Sequence, residues 1–266
     1  MHTAARNRAI AALLASLSCA GACAASFDCK QAKTPTEQAI CRSAALSALD
    51  VRMAQSYQRA LQALSPTGAT ALRASQRAWL RYVPQVCAPS RAVDENCLTR
   101  ELQDRIRRLD QTGLKLGALV LTRADRYDAR RGLPGDDTGS PAGVVTHSVG
   151  HVQIDAATTP AELAWNRTRQ PTQPPAEPRD ADDDSNADVH SDATIACASE
   201  RLLSIESTTY QYNHGAAHGS YATAATTVLL KAGLRPLTAA DLFAADSGWQ
   251  ANLPTLFWQA LSLIHI

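Results

Sequence analysis

Four cysteines in the first part of the chain form two closely spaced pairs. Cys29 and Cys41 lie twelve positions apart, and Cys87 and Cys97 lie ten apart. Cysteines can bind zinc, act as nucleophiles or form disulfides. The C-x-x-C spacing of zinc sites is absent, and no histidine that could activate a thiol occurs between residues 3 and 146. These residues therefore favour disulfides.

The histidines are the second group that could do chemistry. His147 and His151 lie four positions apart in a stretch that alternates apolar and polar residues, so we predict that they share one face of a strand. His214 and His218 flank Gly-Ala-Ala, and His190 lies in an acidic segment. Such histidines could converge on zinc, copper or nickel. Histidines in a glycine-rich turn are more often exposed or bonded to the backbone, so metal binding is kept as an alternative and no metal ligand is assigned.

Signatures of catalysis are absent from the sequence. It contains no G-x-S-x-G elbow, no H-E-x-x-H helix, no phosphate-binding glycine loop and no carboxylate pair in a glycosidase context. Asp50 and Glu101 fall in predicted helices, where solvated or capping roles are common. A net charge of +1 does not indicate a nucleic-acid partner. We predict a binding protein with no cofactor, and not an enzyme.

Residues 1–25 have the pattern of a secretory signal peptide. Arg6 and Arg8 precede an Ala/Leu-rich run, which ends in small residues. The run is shorter than the roughly 20 apolar residues of a membrane-spanning helix. We predict cleavage near Ala24 or Ala25 and a periplasmic or secreted protein, with a lipid anchor at Cys23 as the alternative. Disulfides persist in that compartment.

Residues 27–110 are predicted to form a small helical bundle. Thr34, Pro35 and Glu37 supply an N-cap, a proline at the first helical position and a capping-box acid. Ser-Pro-Thr-Gly at 65–68 separates two long helices. Apolar side chains recur at helical spacing along three further segments: Leu46, Leu49, Met53, Tyr57, Leu61 and Leu64, then Leu72, Trp79, Leu80, Val83 and Val86, then Leu98, Leu102, Ile106 and Leu109.

Four cysteines allow three pairings. We predict the two local disulfides, Cys29–Cys41 and Cys87–Cys97, because each pair flanks a single turn. Closing the first loop would stabilise the bundle by about 3 kcal/mol. Cys197 is then left without a partner.

The second half of the chain has a different pattern. Residues 111–142 lose helical periodicity and end in a Gly/Pro/Asp-rich stretch, which predicts a linker. Residues 143–260 are predicted to be an α+β domain with a mainly antiparallel sheet: strands at 144–156, 200–212 and 221–230, a helix at 159–169, and a final turn and helix. The fold class is thus a disulfide-stapled helical bundle followed by an α+β domain.

An acidic run interrupts this second domain. Residues 176–193 include Asp182, Asp183 and Asp184, and a run of this kind is usually a solvated loop. Residues 26–110, in contrast, carry 13 Lys/Arg against 8 Asp/Glu.

The first domain resembles the LprI-like lysozyme-inhibitor N-terminal domain. The resemblance covers about residues 27–110 and lies in four segments, FDCKQAKTPTEQAIC, ALSALDVRMAQSYQRAL, RASQRAWLRYVPQVC and NCLTRELQDRIRRL. That family is a small, cysteine-stapled helical module of bacterial envelope proteins. The resemblance implies a lysozyme-binding protein of the bacterial envelope.

Residues 144–260 resemble the RsiV-type lysozyme-binding domain more weakly. LLSIESTTYQYNHGAAHG matches a strand leading into a Gly-Ala-His turn, with His218 as the turn histidine, and LRPLTAADLF matches a Leu-Thr-x-x-Asp-Leu-Phe corner. The domain of that family continues further, so we expect this one to be truncated. Residues 261–266 are expected to be a non-native tail, because LSLIHI resembles the translated start of a sequencing adaptor.

Together the resemblances imply an exported protein that binds, and inhibits, lysozyme or a related cell-wall hydrolase. Since lysozymes are generally cationic, the acidic segment 177–192 is the expected steering element and the basic bundle a poor electrostatic partner. A structural envelope-stress factor is a further alternative. The side chains expected to bind the partner are Trp79, Tyr212, His214, His218, Asp182, Asp183 and Asp184.

Overall fold

The computed structural model describes residues 25–90, 92–131, 143–169, 187–231 and 233–262. Its helices are α1 (Pro35–Arg42), α2 (Ala44–Ala63), α3 (Pro66–Cys87), α4 (Glu95–Asp110), α5 (Pro160–Thr168) and α6 (Trp249–Ser262). Its strands are β1 (Lys115–Leu116), β2 (Leu119–Arg131), β3 (Val144–Ile154), β4 (Ala187–Ala198), β5 (Leu202–Asn213), β6 (Ser220–Leu229) and β7 (Arg235–Pro236).

The bundle helices begin where polar side chains cap them. The Thr34 hydroxyl accepts from the Glu37 N–H at 3.2 Å, and the Glu37 carboxylate accepts from the Thr34 N–H at 2.8 Å, which confirms the capping box. Ser65 caps α3, and Asp94 caps α4. Each cap satisfies N–H groups that have no partner inside their helix.

The four helices α1–α4 enclose one apolar core. Trp79 and Tyr82 from α3 lie in it with the buried aliphatic side chains of α2 and α4. The helical spacing predicted this core, with one error: Leu80 is 54% exposed. It lies at the outer edge of the α3 apolar stripe, next to Trp79, and only the centre of that stripe is covered.

Both local disulfides are present. Cys29–Cys41 joins the entry segment to the end of α1, with 5.7 Å between the two Cα atoms. Cys87–Cys97 joins the end of α3 to the start of α4 across 5.4 Å. Cys197 in β4 is free and exposed. The predicted pairing is confirmed.

The seven strands form one sheet in the order β1-β2-β3-β4-β5-β6-β7. Neighbouring strands are antiparallel except β3 and β4, which are parallel over Val189–Asp192 of β4. A parallel pair needs a long crossover, and α5 lies in that connection. The sheet has its own apolar core, which includes Leu121, Leu203 and Trp165 of α5. The predicted fold class is confirmed.

Residues 115–116 and 119–131 form strands where the composition predicted a linker. The sequence pattern did not predict β2 because, next to the buried Leu121, its most buried side chains are charged: Arg123 and the carboxylate of Asp125 are almost fully buried. The helical part and the sheet are therefore joined directly, and β2 packs against α3. Residues 132–142 lie outside the described residues.

The predicted acidic loop 176–193 is also wrong in part, because β4 begins at Ala187. Asp188 and Asp192 are strand residues whose carboxylates have partners inside the structure, so they are not a solvated run. Asp182, Asp183 and Asp184 lie outside the described residues. In the part of the chain that is described, no helix is long and apolar enough to cross a membrane.

Candidate protein-binding site

A buried ionic cluster fixes the helical bundle to the sheet. Asp125 of β2 accepts from Arg105 of α4 at 3.0 Å and from Arg123 at 3.1 Å, and Arg108 lies 3.5 Å away. Asp192 of β4 pairs with Arg123 and Arg108 as well. We call these five residues the junction cluster. The Arg105 and Asp125 side chains are 0% and 3% exposed, so water screens this pair little.

The charges of the cluster determine the protonation of Asp125. Burial by itself would raise the pKa of this carboxyl, but the positive charges of Arg123, Arg108 and Arg105 outweigh burial and lower the pKa to about 2. Asp125 is thus ionised at neutral pH, and its removal would leave three buried guanidinium groups without their common counter-ion.

A second contact joins the bundle to the sheet at the start of α3. Asp155, which follows β3, accepts from the Ser65 N–H at 2.6 Å and from the Ser65 hydroxyl at 2.7 Å. Gly68 lies directly against this carboxylate, and a Cβ at that position would clash with it. Together with the junction cluster, this contact holds the bundle on the sheet at two separate points.

Strands β5 and β6 form a hairpin at the other side of the sheet. Tyr210 pairs with Tyr221, and the turn between the strands covers residues 214–219. The turn is exposed at residues 215–218, and Tyr221 is 75% exposed. Gly215 has φ of 87°, which favours glycine. We call residues 210–221 the tyrosine hairpin.

A histidine anchors the turn of the tyrosine hairpin to β4. The His214 side chain is 0% exposed, and its Nε2 lies 3.2 Å from Oδ2 of Asp188. The other oxygen of Asp188 accepts from the N–H and hydroxyl of Thr146, at 2.7 and 2.8 Å. The Tyr212 hydroxyl donates to the carbonyl of Ala216 at 3.2 Å, inside the turn. These contacts give the turn a fixed shape before any partner arrives.

Aromatic rings continue along one face of the hairpin. The rings of His190 and Tyr210 are 6.3 Å apart, and those of Tyr210 and Tyr221 are 4.7 Å apart. Gly219 lies so close to the Tyr210 ring that a Cβ would clash with it. Burial lowers the pKa of His190, which favours the neutral imidazole at neutral pH. The exposed end of this row, Tyr221, is of the residue type that often anchors protein interfaces.

A polar cleft of about 240 Å³ lies between α4 and strands β4 and β5. Glu101 lines it, and burial, with the nearby charge of Asp104, raises the pKa of Glu101, while the Trp79 indole N–H donates to the carboxylate at 3.4 Å. Arg108 and Tyr210 line it too. The cleft therefore connects the junction cluster to the tyrosine hairpin.

The structure separates the predicted binding residues into two groups. Tyr212, His214 and His218 lie together in the tyrosine hairpin, with the rings of the first two 5.8 Å apart. His218 is exposed, whereas His214 is an internal anchor. Trp79 is only 3% exposed and belongs to the bundle core.

The histidines do not form a metal centre in the described part of the chain, where no group of three or more metal-ligating side chains occurs. His147 is buried, with Nδ1 3.9 Å from Asp128. His190 contacts Thr146 at 3.2 Å. His214 and His218 are both in the turn between β5 and β6, where His214 pairs with Asp188.

Sequence reasoning missed Tyr210, Tyr221, Asp188 and Gly219. The two tyrosines are eleven positions apart, and only the hairpin register brings them opposite each other. Asp188 was hidden in the acidic run. A turn of Gly and Ala between two alternating segments was the available signal for the hairpin, but it does not reveal which side chains meet.

The bundle defines a class: a small helical module stapled by two disulfides. Residues 29–109 match the family described as "Lysozyme inhibitor LprI", which confirms the resemblance of the first domain. The match covers the entry segment and helices α1–α4 and stops short of the sheet. A search of curated proteins gives no match for the chain.

Two solved structures show similarity over a larger part of the chain. One is a DUF3298 family member from Bacteroides fragilis, with 17% identity and a TM-score of 0.37 over 57% of this chain and 71% of that chain. The other is a DUF3298 family protein from Pseudomonas aeruginosa, with 16% identity and a TM-score of 0.34 over 56% of this chain and 66% of that chain. These values are too low to support a functional comparison. The RsiV-type resemblance stays a prediction.

Proposed function

We propose that this chain is an exported bacterial protein that binds lysozyme or a related cell-wall hydrolase and inhibits it without chemistry of its own. The match of residues 29–109 to the LprI lysozyme-inhibitor family is the observation that carries this proposal. The two disulfides support it, since such bonds persist outside the cytoplasm.

The family match lies in the bundle and does not locate the contact surface, which we assign to the tyrosine hairpin because of its shape and exposure. A hydrolase that acts on a polymer is blocked when a projecting segment fills its substrate cleft. The exposed turn 215–218 and Tyr221 suit that task, and the contacts of His214 and Tyr212 fix the turn in advance. A preformed turn loses little conformational entropy on binding, which strengthens binding.

The bundle offers a different surface, an apolar groove of about 420 Å³ lined by Phe27, Ile40, Met53 and Leu80 among others. Because a groove is a recess, it cannot fill the recess of an enzyme. Exposed arginines also flank Leu80, at Arg77 and Arg81. Like charges make this face a poor electrostatic partner for a cationic lysozyme. In our proposal the bundle is the rigid support of the sheet.

The acidic segment of the sequence leads into β4, whose first residue lies beside the hairpin turn. The acidic segment continues directly into Ala187, and Ala187 pairs with Asn213 at the start of the turn. Asp188 and Asp192 have internal partners, so the steering role passes to the acidic residues before β4, including Asp182, Asp183 and Asp184. Such charges raise association rates and act less at high salt.

The test is a lysis assay with the exported, processed chain and a panel of lysozymes. We expect stoichiometric inhibition that Tyr221→Ala weakens at least tenfold, while the matched control Leu80→Ala, also an exposed apolar residue, leaves inhibition unchanged. A chain without residues 177–186 should associate more slowly at low salt only.

Failure to bind or inhibit any lysozyme would refute the proposal. If that failure were accompanied by stoichiometric zinc or copper uptake that His214→Ala and His218→Ala abolish, the metal-binding alternative would replace it. If the chain neither bound lysozyme nor took up metal, the alternative of a structural envelope-stress factor would be supported.

A further inference from the structure

The carboxylate of Asp50 is buried at the wall of the apolar groove of the bundle, and no basic side chain of the described residues lies beside it. Asp50 lies in the middle of α2 and is 4% exposed. Sequence reasoning expected a solvated or capping role for it, and the structure corrects that expectation. Within the described ranges, no lysine, arginine or histidine lies within ion-pair distance of Asp50, in contrast to Asp125 and Asp192. A buried charge without a counter-charge is costly.

Asp50 has one hydrogen-bond donor in the described part of the chain, the backbone nitrogen of Ser26. The distance from this nitrogen to Oδ2 of Asp50 is 2.6 Å. Ser26 precedes Phe27, which packs against the bundle core, and Cys29, which the first disulfide ties to the end of α1. The nitrogen is thus held at the carboxylate by covalent and apolar contacts of the residues that follow it.

Ser26 is also the residue that follows the predicted signal peptide of residues 1–25. As long as the leader is attached, the nitrogen of Ser26 is a neutral amide. Hydrolysis of the Ala25–Ser26 peptide bond adds one water molecule, leaves a carboxylate on Ala25 and releases the amino group of Ser26, which takes up a proton at neutral pH. The group at 2.6 Å from Asp50 then carries the missing positive charge.

We propose that a leader peptidase cleaves the chain after Ala25 and that the new α-ammonium group of Ser26 is the buried counter-ion of Asp50. The inference rests on the export that the proposed function assumes, and it goes beyond it by assigning a processing site and a structural role to its product. Processing therefore completes the core of the bundle, and the precursor is less stable than the mature chain.

Cleavage one residue earlier would give a different result. Ala25 is 8% exposed and packs in the bundle core, so a chain that keeps Ala25 buries one more methyl group. It also leaves the Ser26 nitrogen a neutral amide. A charge-assisted bond to a buried carboxylate is the larger of these two effects, so the chain that begins at Ser26 is the more stable of the two products.

The first test is the intact mass of the chain after export through its own leader. The mass should correspond to a chain that begins at Ser26. A chain that begins at Ala25, or one that begins at a lipid-modified Cys23, would overturn the assignment.

The second test compares purified chains that begin at Ser26 with a free or an acetylated amino group. Acetylation should lower the melting temperature by roughly 5–10 °C at pH 6.5. It should have no effect in Asp50→Asn, while the control Asp28→Asn, an exposed acid near the same end, should keep the full effect. Equal melting temperatures of the free and acetylated chains would contradict the ion pair, as would an unchanged difference in Asp50→Asn.

The pH dependence keeps this test decisive even if Asp50→Asn folds poorly. An ion pair raises the pKa of the amino group above its ordinary value of about 8, so its stabilisation is present below that pH and disappears as the pH rises through the raised value. The advantage of the free over the acetylated chain should shrink above pH 9, and a constant advantage would exclude the ammonium group as its cause. Neither measurement uses lysozyme, so a failure here is distinguishable from a failure of the proposed function.

Discussion

The helical bundle and the tyrosine hairpin keep their shapes in opposite ways. The bundle encloses a continuous apolar core, and two disulfides tie its helices together. The hairpin exposes most of β6 and its turn, and it relies on strand pairing, ring contacts and the His214–Asp188 contact. Changes in the bundle should therefore act mainly on stability, and changes at the hairpin should act mainly on binding.

The junction cluster lies between these two regions and holds them together through buried ion pairs. Its arginines come from α4 and β2, and its acids come from β2 and β4. Buried ion pairs of this kind depend strongly on each partner, because removal of one leaves the others uncompensated. The orientation of the hairpin relative to the bundle thus depends on a few charges and not on apolar contact alone.

Removal of both disulfides should have the largest effect on stability. The chain-entropy relation gives about 3 kcal/mol for each loop of this size. Reduction of the wild-type chain, or the substitutions Cys29→Ser with Cys41→Ser and Cys87→Ala with Cys97→Ala, should lower the melting temperature markedly in a calorimetric scan. Cys197→Ser is the matched control and should change little, because that thiol is exposed and free. An unchanged melt after complete reduction would contradict the stabilising role of the disulfides.

Asp125→Asn should have the next largest effect on the free energy of unfolding. The substitution keeps the volume and removes the charge shared by three buried arginines, which costs about 3–5 kcal/mol. The measurement is the midpoint of urea unfolding. Asp104→Asn breaks an exposed pair with Arg107 and should cost at most about 1 kcal/mol. Similar losses of stability in the two variants would mean that the junction cluster stabilises the fold no more than an exposed ion pair does.

The lowered pKa of Asp125 determines how the stability of the chain changes at acid pH. The folded pKa of Asp125, about 2, is below its ordinary value of about 3.9. A lowered folded pKa gives stability that is complete above about pH 5 and is lost as the pH falls from about 4 toward 2. Melting temperatures measured across this range should fall less steeply for Asp125→Asn than for the wild-type chain. Parallel curves would show that other groups cause the acid sensitivity.

His214→Ala should destabilise the hairpin more than the whole chain. The substitution removes the imidazole beside Oδ2 of Asp188, while Thr146 still donates to Oδ1, at a cost of about 1–2 kcal/mol. Amide hydrogen exchange should quicken in residues 210–221 and stay unchanged in α1–α4. His218→Ala removes an exposed ring and serves as the control. Faster exchange in the bundle would contradict the separate stabilisation of the two regions.

Tyr221→Ala should have the smallest effect on stability, within about 0.5 kcal/mol, because the ring is mostly exposed. Its effect on lysozyme affinity should be at least tenfold, as expected for an aromatic anchor. Isothermal titration with wild type and variant measures this directly. If Tyr221→Ala lost stability but kept full affinity, Tyr221 would be a structural residue and not a binding residue.

The bundle could be predicted from sequence because its chemistry is local. Thr34 and Glu37 are three residues apart, the disulfides join cysteines only 12 and 10 positions apart, and the core residues follow helical spacing. The sheet was harder to predict, since β2 buries Arg123 and Asp125 next to Leu121 and so interrupts the usual apolar–polar alternation. The role of Asp188 depends on its contacts with Thr146 and His214, which are far away in sequence. Tyr212, His214 and His218 are close enough in sequence to be grouped without a structure and stay predicted binding residues, whereas the contact of Tyr210 with Tyr221 required the strand register.

The most direct test of the central claim is a hydrogen-exchange footprint of the complex with a lysozyme that the chain inhibits. Our account predicts protection of residues 210–221, centred on the turn, with no new protection of α1–α4. Protection confined to the bundle, around Leu80 and its groove, with an unprotected hairpin would contradict it and would place the inhibitory surface in the helical domain.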